Sequence, residues 1–378
     1  MNSGVIRGRH FASSEPIELR WESGVIESIR PVSASDANPW LAPALVDLQI
    51  NGYGGIDFQQ DNLTTDDVLS AVRHLNRDGC TRFLLTLITD DWSRLTARLR
   101  HLRQLREGHP ALRHAIAGWH IEGPFLSAEP GYCGAHDPAF MRDPTPGDFD
   151  ELRRLAGNDP LLVTVAPERT GAIEAIARAT TLGVRISLGH TNAPAEILAA
   201  AARHGAVAFT HLGNGCPREL DRHDNILWRV FETPGLVPSL IPDGIHVSPA
   251  LFRLVHRTLG DSIYYTTDAM SAAGMPPGRY KLGKLGLEVG ADQIVRQPGR
   301  TNFAGSALRP IDGVFRAAKM LDAQWQEAWP RLSEAPARLM NLPAGLKIGA
   351  PADFCVIRTS GENQLEELRA FSAGIGCA

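Results

Sequence analysis

Three ligand-type side chains stand at or near the ends of short apolar runs that lie far apart in the sequence. Glu122 belongs to AIAGWHIEG (115–123), His190 to VRISLGHT (184–191) and His211 to AVAFTHLGN (206–214). One carboxylate and two imidazoles form a three-ligand set with an open fourth position, which is typical of catalytic rather than structural zinc. Such an ion polarises a carbonyl group and activates water. The residues predict one divalent metal ion per chain, Zn²⁺ first, with Fe²⁺ or another divalent ion as the alternative.

Two later apolar runs also end in polar residues. Asp243 and His246 lie in LVPSLIPDGIH (236–246), and Asp268 lies in IYYTTDA (263–269). A carboxylate beside a metal is able to take a proton from water and deliver it to a leaving nitrogen, so Asp268 is predicted to be the catalytic acid–base. His120 lies two residues before Glu122, and strand alternation points both side chains the same way. We interpret His120 as a support for the ligands, with a ligand role as the alternative.

The elements that must position these residues are eight apolar runs alternating with helical stretches. Buried strands alternating with helices predict a parallel sheet covered on both faces. Eight such units favour a (β/α)8 TIM barrel over an open doubly wound sheet, and they place the active site at the C-terminal ends of the strands. Besides the five runs already given, the runs are ALVDLQI (44–50), TRFLLTLIT (81–89) and LLVTVAPE (161–168).

The two ends of the chain have a different character. Residues 1–45 and 345–378 contain short alternating stretches separated by Gly, Ser and Pro, which predict β-strands. Neither end is long enough to bury its own core, so we expect both to form one small β-sandwich domain beside a hydrolase barrel domain at 46–344. The Gly-rich stretch 272–308 is predicted to be an insertion hairpin near the site.

Bulk composition excludes several classes of protein. Lys plus Arg number 38 against 42 for Asp plus Glu, which gives no reason to expect nucleic acid or an anionic membrane as a partner. No apolar run approaches the roughly 20 residues that span a bilayer. The five cysteines are scattered, without a CxxC pair, so neither a disulfide framework nor a Cys-based zinc site is expected. The sequence therefore predicts a cytoplasmic protein.

A set of motifs resembles the N-acetylglucosamine-6-phosphate deacetylases of the amidohydrolase superfamily, in the order and spacing of that family. The resemblance implies a TIM barrel plus β-sandwich, with Glu122, His190 and His211 as metal ligands. It also implies that Asp268 is the acid–base and that His136 and His246 contact the substrate, with His246 polarising the acetyl carbonyl. The motifs are HIEGPF (120–125), GAH (134–136), VAPE (165–168), LGHT (188–191), THLGN (210–214), DGIHV (243–247), TTDAM (266–270) and FAGSAL (303–308).

Two departures from relatives bear on the chemistry. Gln49 and Asn51 replace the HxH pair that holds a second metal in many amidohydrolases, so one tightly held ion is expected. No lysine in LLVTVAPE offers the carbamate bridge of other binuclear members, which argues against dihydroorotase-like or phosphotriesterase-like chemistry. A serine hydrolase is disfavoured because there is no GxSxG elbow.

The second departure lies after His211, where the chain reads HLGNGCP and then RELDRHDN. The resemblance implies that this segment binds the sugar phosphate through Asn214, the backbone at Gly215 and Arg222. In the family the corresponding arginine reaches into the neighbouring subunit's site, which implies a homodimer. A solvated surface position for Arg222 is the alternative.

The leading hypothesis is hydrolysis of N-acetylglucosamine 6-phosphate to glucosamine 6-phosphate and acetate. A deacetylase of N-acetylgalactosamine 6-phosphate, or of an unphosphorylated N-acyl substrate, is the enzymatic alternative. A non-catalytic barrel protein is disfavoured, because such a protein has no reason to keep a complete Glu, His, His and Asp set.

Overall fold

Strands and helices alternate along most of the chain. A computed structural model describes residues 2–33, 39–299, 303–361 and 363–377. In chain order the strands are β1 (Gly4–His10), β2 (Pro16–Glu22), β3 (Val25–Pro31), β4 (Trp40–Pro43), β5 (Leu45–Ile50), β6 (Gly52–Tyr53), β7 (Ile56–Asp57), β8 (Cys80–Ile88), β9 (Ile116–Glu122), β10 (Leu161–Val165), β11 (Arg185–Leu188), β12 (Ala206–Phe209), β13 (Val237–Leu240), β14 (Tyr264–Tyr265), β15 (Gly278–Leu282), β16 (Leu285–Val289), β17 (Val295–Arg296), β18 (Phe354–Ser360), β19 (Gln364–Ser372) and β20 (Ile375–Gly376). The α-helices are α1 (Thr65–Arg77), α2 (Trp92–Gly108), α3 (Pro110–Ala115), α4 (Pro146–Ala156), α5 (Ala172–Thr181), α6 (Ala195–Arg203), α7 (Ile226–Phe231), α8 (Pro249–Leu259), α9 (Pro310–Leu321), α10 (Trp325–Ala328) and α11 (Glu334–Leu339).

The central sheet has eight parallel strands in the order β5, β8, β9, β10, β11, β12, β13 and β14. Its two outer edges meet, because Ile50 at the end of β5 forms a parallel bridge with Ala269 beyond β14. The backbone N–H of Asn51 also donates to the carbonyl of Ala269 at 2.7 Å. This closure confirms the predicted (β/α)8 barrel and rules out the open doubly wound sheet. Each of the eight predicted runs overlaps one barrel strand.

The helices that cover the barrel have the sequence features of stable surface helices. The side chain of Thr64 accepts the N–H of Asp67, and the Asp67 carboxylate accepts the N–H of Thr64, which forms a capping box at the start of α1. Val68, Val72 and Leu75 recur at helical spacing and are buried against the barrel. Such amphipathic helices close the outer face of the strands, so the barrel forms one contiguous core.

The terminal segments form a second sheet in the order β20, β19, β18, β4, β1, β2 and β3. Trp21 in β2 lies 5.2 Å from Phe354 in β18 and 5.6 Å from Phe371 in β19, measured between ring centroids. Because β1 and β4 separate β2 from β18 in the sheet, these contacts require the sheet to fold back on itself. The predicted β-sandwich is therefore confirmed, while the domain limits 1–45 plus 345–378 and 46–344 stay a prediction.

The predicted insertion is a small three-stranded antiparallel sheet of β15, β16 and β17. Leu282, Leu287 and Val295 of this sheet pack in one cluster with Met270 and Ala272, which follow barrel strand β14. The insertion thus stands over the C-terminal face of the barrel. Among the described residues, none of the helices combines the length and apolar character needed to cross a bilayer.

The buried carboxylate of Asp47 connects the first and last barrel strands at the point where the barrel closes. We call this junction the seam. Asp47 in β5 accepts the N–H of Thr267 at 2.9 Å and the Thr267 hydroxyl at 2.7 Å. It also accepts the Thr266 hydroxyl and the N–H of Gln49. Because Thr266 and Thr267 directly precede Asp268, this network determines where Asp268 enters the barrel mouth.

Asp47→Ala is expected to lower the free energy of unfolding by at least about 3 kcal/mol, because hydrogen bonds to a charged group contribute about 1.5–3 kcal/mol each and the donors would stay buried and unpaired. Urea denaturation measures this change. Asp261→Ala is the control, since Asp261 is exposed and only pairs with Arg331 at the surface, and it should leave stability nearly unchanged. Equal effects of the two substitutions would contradict the role of the seam.

Candidate active site

Four predicted residues meet at the C-terminal mouth of the barrel. Glu122 is the last residue of β9, and its Oε1 lies 2.9 Å from His211 Nε2 and 3.4 Å from His190 Nε2. The His190 and His211 rings stand almost perpendicular at 85°, with centroids 4.9 Å apart. Asp268 follows β14 and shares the amide group of Gln49 with Glu122. All four side chains are buried. The structure therefore brings together residues that are up to 146 positions apart in the sequence.

The backbone leaves strand geometry at three of these positions. His190, His211 and Asp268 have φ values of 50°, 32° and 52°, which place them in the left-handed region. Residues other than glycine rarely adopt this region, and they cluster at functional sites when they do. Each of these residues comes two or three positions after a buried strand, where the chain turns across the barrel mouth.

Gln49 and Asn51, at the end of β5, act as hydrogen-bond donors to the carboxylates. Gln49 Nε2 donates to Glu122 Oε1 at 2.8 Å and to Asp268 Oδ1 at 3.0 Å, and Asn51 Nδ2 donates to Asp268 Oδ1 at 2.7 Å. The sequence identified these positions only as missing metal ligands. Their spacing of two residues, which points both side chains to one face of a strand, was the signal for this second role.

His136 joins the cluster from the loop after β9. Its Nε2 lies 3.8 Å from Glu122 Oε2, and its ring centroid lies 4.6 Å from that of His190. The potential ligand atoms of Glu122, His136 and His190 all lie within 4.8 Å of one another. The sequence predicted His136 as a substrate contact, and the structure also places it within reach of a metal ion.

The tautomers of the imidazoles fit a bound cation. His190 Nδ1 lies 2.8 Å from the carbonyl of Tyr132, which only accepts, so Nδ1 carries a proton and Nε2 is the nitrogen that faces Glu122. His136 Nδ1 likewise donates to the Thr89 hydroxyl at 2.8 Å, since that hydroxyl donates to the carbonyl of Glu122. Burial lowers the pKa of His136 to about 3, so this ring is neutral. Imidazole nitrogens and a carboxylate that face one point form a donor set that suits a divalent metal ion.

The two carboxyl groups have opposite protonation behaviour. Burial opposes ionisation of Glu122, but hydrogen bonds from His190 and His211 hold its pKa well below the usual range. Burial, and then the charge of Glu122, raise the pKa of Asp268 to about 7. Glu122 is therefore permanently charged, whereas Asp268 is able to give and take a proton near neutral pH.

Two further histidines lie in different places: His246 lines the cavity, and His120 lies in the barrel interior. His246 Nδ1 lies 2.6 Å from Asp243 Oδ2, and Asp243 Oδ1 accepts the backbone N–H of His246, so the ring is held with Nε2 available to the cavity. His120 Nε2 instead bonds the hydroxyl of Thr164 at 2.8 Å in the barrel interior. His120 thus lies in the barrel interior, and its role as a support for the ligands stays a prediction.

Two glycines allow close approach to the His190 ring. A Cβ added at Gly134 would lie 2.9 Å from His190 Cε1, and one added at Gly215 would lie 2.9 Å from His190 Nδ1. Both glycines also have positive φ, at 59°. The loops after β9 and β12 therefore approach this imidazole closely only because both positions lack a side chain.

A cavity of about 690 Å³ opens above the cluster. A larger cleft of about 780 Å³ lies between the insertion and the β6–β7 ribbon, but none of the site residues described in this subsection lines it, so the smaller cavity is the candidate site. Its mouth contains Asn214, Gly215 and Arg218. Arg222 is exposed and outside the cavity of its own chain, and Arg218 had not been identified from the sequence.

Comparisons with known proteins agree with this geometry. The N-acetylglucosamine-6-phosphate deacetylase of Mus musculus is 33% identical over 84% of this chain and 79% of the relative. The N-acetylgalactosamine-6-phosphate deacetylase of Escherichia coli O157:H7 is 31% identical, covering 89% of this chain and 90% of the relative. The structure of N-acetyl-D-glucosamine-6-phosphate deacetylase from Mycobacterium smegmatis, in complex with N-acetyl-D-glucosamine-6-phosphate, has a TM-score of 0.88 and 30% identity, covering 99% of both chains. No protein-family model matches the chain.

A carboxylate and imidazoles lie at the mouth of a (β/α)8 barrel, beside a second carboxyl group whose pKa is about 7, and this arrangement defines the class of a metal-dependent hydrolase. Relatives at this level of identity cover most of the chain and specify the family more narrowly. The chain belongs to the N-acetylglucosamine-6-phosphate deacetylase family.

Asn51→Leu removes a hydrogen bond that favours the charged form of Asp268, so the pKa of Asp268 should rise above about 7. One hydrogen bond to a charged group corresponds to about one pH unit. If Asp268 must be ionised to act as a base, the acidic limb of the pH profile of kcat/KM should move to higher pH by that amount. Asn214→Leu, which removes an amide from the same cavity without touching Asp268, should leave the limb in place. A shift to lower pH in Asn51→Leu would contradict this assignment.

Proposed function

We propose that the protein hydrolyses the N-acetyl group of N-acetylglucosamine 6-phosphate, giving glucosamine 6-phosphate and acetate. The observation that carries the proposal is the pairing of an ionised Glu122, faced by the Nε2 atoms of His136, His190 and His211, with Asp268, whose pKa is about 7. This pairing suits the attack of water on an amide, which needs a cation, a base and then an acid. The names of the relatives supply the substrate class.

Each residue has a defined part in the proposed reaction. Glu122, His190 and His211 hold the divalent ion, which when bound polarises the amide carbonyl and acidifies water. Asp268 accepts the proton of the attacking water and later delivers it to the leaving nitrogen. The doubly protonated ring of His246, with Nδ1–H held by the Asp243 carboxylate, would donate from Nε2 to the carbonyl oxygen. His136 lines the same cavity as a further substrate contact.

The proposal is tested with a panel of N-acetyl sugars scored for acetate release. N-acetylglucosamine 6-phosphate should have the highest kcat/KM, and the matched unphosphorylated sugar should be much poorer. A preference for N-acetylgalactosamine 6-phosphate would favour the second candidate, which the E. coli relative supports by name. Absence of acetate release from every member of the panel, in protein loaded with metal, would refute the proposed function.

Elemental analysis should give close to one divalent ion per chain, and chelation should abolish activity. The physical reason is that the amides of Gln49 and Asn51 donate hydrogen bonds where a second ion would need ligands. Zn²⁺ is the proposed native ion, with Fe²⁺ as the alternative. Two firmly bound ions would contradict the prediction and make His136 the first residue to test as an additional ligand.

Asp268→Asn keeps the shape of the side chain but removes the base. General acid–base contributions are typically about 10²- to 10⁴-fold, so kcat should fall at least by that range while the metal content persists. Steady-state kinetics and metal analysis of the same preparation measure both quantities. A kcat within a few-fold of the wild-type value would move the acid–base role to His136 or His246.

We propose that the phosphate is bound by Asn214, the backbone at Gly215 and Arg222. A dianionic phosphate is held best by backbone N–H groups and a guanidinium group. Since Arg222 lies outside the cavity of its own chain, it is proposed to reach the site of a second copy in a homodimer. Arg218, which lines the mouth of the cavity in its own chain, is the competing phosphate ligand.

Arg222→Ala should raise KM for the phosphorylated sugar by about 10- to 100-fold, the scale of a lost charged hydrogen bond, and should barely change turnover of the unphosphorylated sugar. Arg218→Ala is the matched comparison. A selective rise in KM for Arg218→Ala alone would assign the phosphate to the residue within the same chain. Equal changes in KM for both sugars in both variants would refute the assignment of Arg222 or Arg218 to phosphate binding.

The homodimer and the cytoplasmic location are also proposals. Sedimentation should detect a dimer if Arg222 completes the site of a partner copy.

Among the described residues the five cysteines are unpaired. Free thiols of this kind support a reducing compartment.

A further inference from the structure

Glu168 is a motif residue for which the proposed reaction has no role. It follows β10, and among the described residues the end of this strand contributes no member of the metal-binding cluster. The VAPE motif had nevertheless marked the position in the sequence. We propose that Glu168 is a positioning residue that holds His190 in its metal-binding conformation. This inference rests on the metal-dependent function proposed above.

The carboxylate of Glu168 holds the two residues that follow His190. Its Oε1 accepts the backbone N–H of Asn192 at 3.0 Å, and its Oε2 accepts the hydroxyl of Thr191. The Thr191 oxygen in turn accepts the N–H of Ala193 at 3.0 Å. One carboxylate therefore fixes the backbone immediately beyond His190.

A second set of contacts leads from the same segment to the His190 ring. Asn192 Oδ1 accepts the hydroxyl of Tyr132 at 2.9 Å, and the carbonyl of Tyr132 accepts His190 Nδ1–H at 2.8 Å. On the opposite side, Arg229 Nη1 donates to the carbonyls of Asn192 and Ala193 at 3.0 and 3.1 Å. Glu168 is thus connected to His190 both through the chain and through its ring nitrogen.

This support matters because His190 has a left-handed backbone, with φ of 50°. A conformation of this kind persists only where the surrounding contacts determine it. Groups that hold a metal ligand in place typically change metal affinity by about 10- to 100-fold when they are removed. Glu168 should therefore control how tightly the ion is held rather than take part in proton transfer.

Metal affinity separates this role from a merely structural one. The metal-free wild type, Glu168→Ala and Thr191→Val are titrated with Zn²⁺ against a competing chelator. Both variants should bind Zn²⁺ about 10- to 100-fold more weakly. Excess Zn²⁺ should restore most of kcat, and Thr191→Ser, which keeps the hydroxyl, should retain the wild-type affinity.

Asp143→Asn is the matched control. Asp143 forms an ion pair at 2.7 Å with Arg169, the neighbour of Glu168. This substitution disturbs the same loop without touching residues 190–193, and Zn²⁺ affinity should stay within two-fold, the ~0.4 kcal/mol range of a neutral surface change.

An affinity within two-fold of the wild type in folded Thr191→Val and Glu168→Ala would overturn the proposal. If Glu168→Ala does not fold, Thr191→Val decides alone. Failure of the wild-type protein to bind Zn²⁺ or another divalent ion would instead refute the metal-dependent function itself, which the titration of the wild type shows before any variant is compared.

Discussion

Glu122 carries a negative charge inside the mouth of the barrel, where a carboxylate without partners would be very unfavourable. The surrounding side chains compensate this charge from several directions. Gln49 donates an amide N–H to Oε1, His211 approaches the same oxygen, and His136 faces Oε2. The fold therefore provides a position for a cation. Hydrogen bonds keep the Glu122 carboxylate ionised at that position.

The closure of the barrel connects this charge to the proposed base. Gln49 is on the first strand and Asp268 follows the last, and the two meet only because the strand edges join at Ile50 and Ala269. Asp268 then lies close enough to feel the charge of Glu122, which contributes to its raised pKa. An open sheet would separate these two carboxyl groups, so the acid–base property depends on a closed barrel.

The strands and the principal site residues could be predicted from sequence because their signals are local. Buried runs indicate strands, and a barrel brings all strand ends to one face, so Glu122, His190, His211 and Asp268 had to converge. The contacts of Gln49 and the chain of hydrogen bonds from Glu168 could not be predicted. They depend on side-chain directions and on loop conformations after the strands, which no periodicity encodes. The exposed position of Arg222 has the same cause, since it lies in an irregular segment before α7.

The left-handed backbone at His190, His211 and Asp268 has a consequence for the evolution of this chain. A left-handed conformation costs roughly 1–2 kcal/mol for a residue with a Cβ atom, and glycine or asparagine would adopt it with less strain. Selection for stability alone would therefore favour replacing all three residues. We therefore expect that a sequence released from selection for activity would lose these residues early. Loss of these three residues would then identify a barrel that keeps the fold but no longer catalyses the reaction.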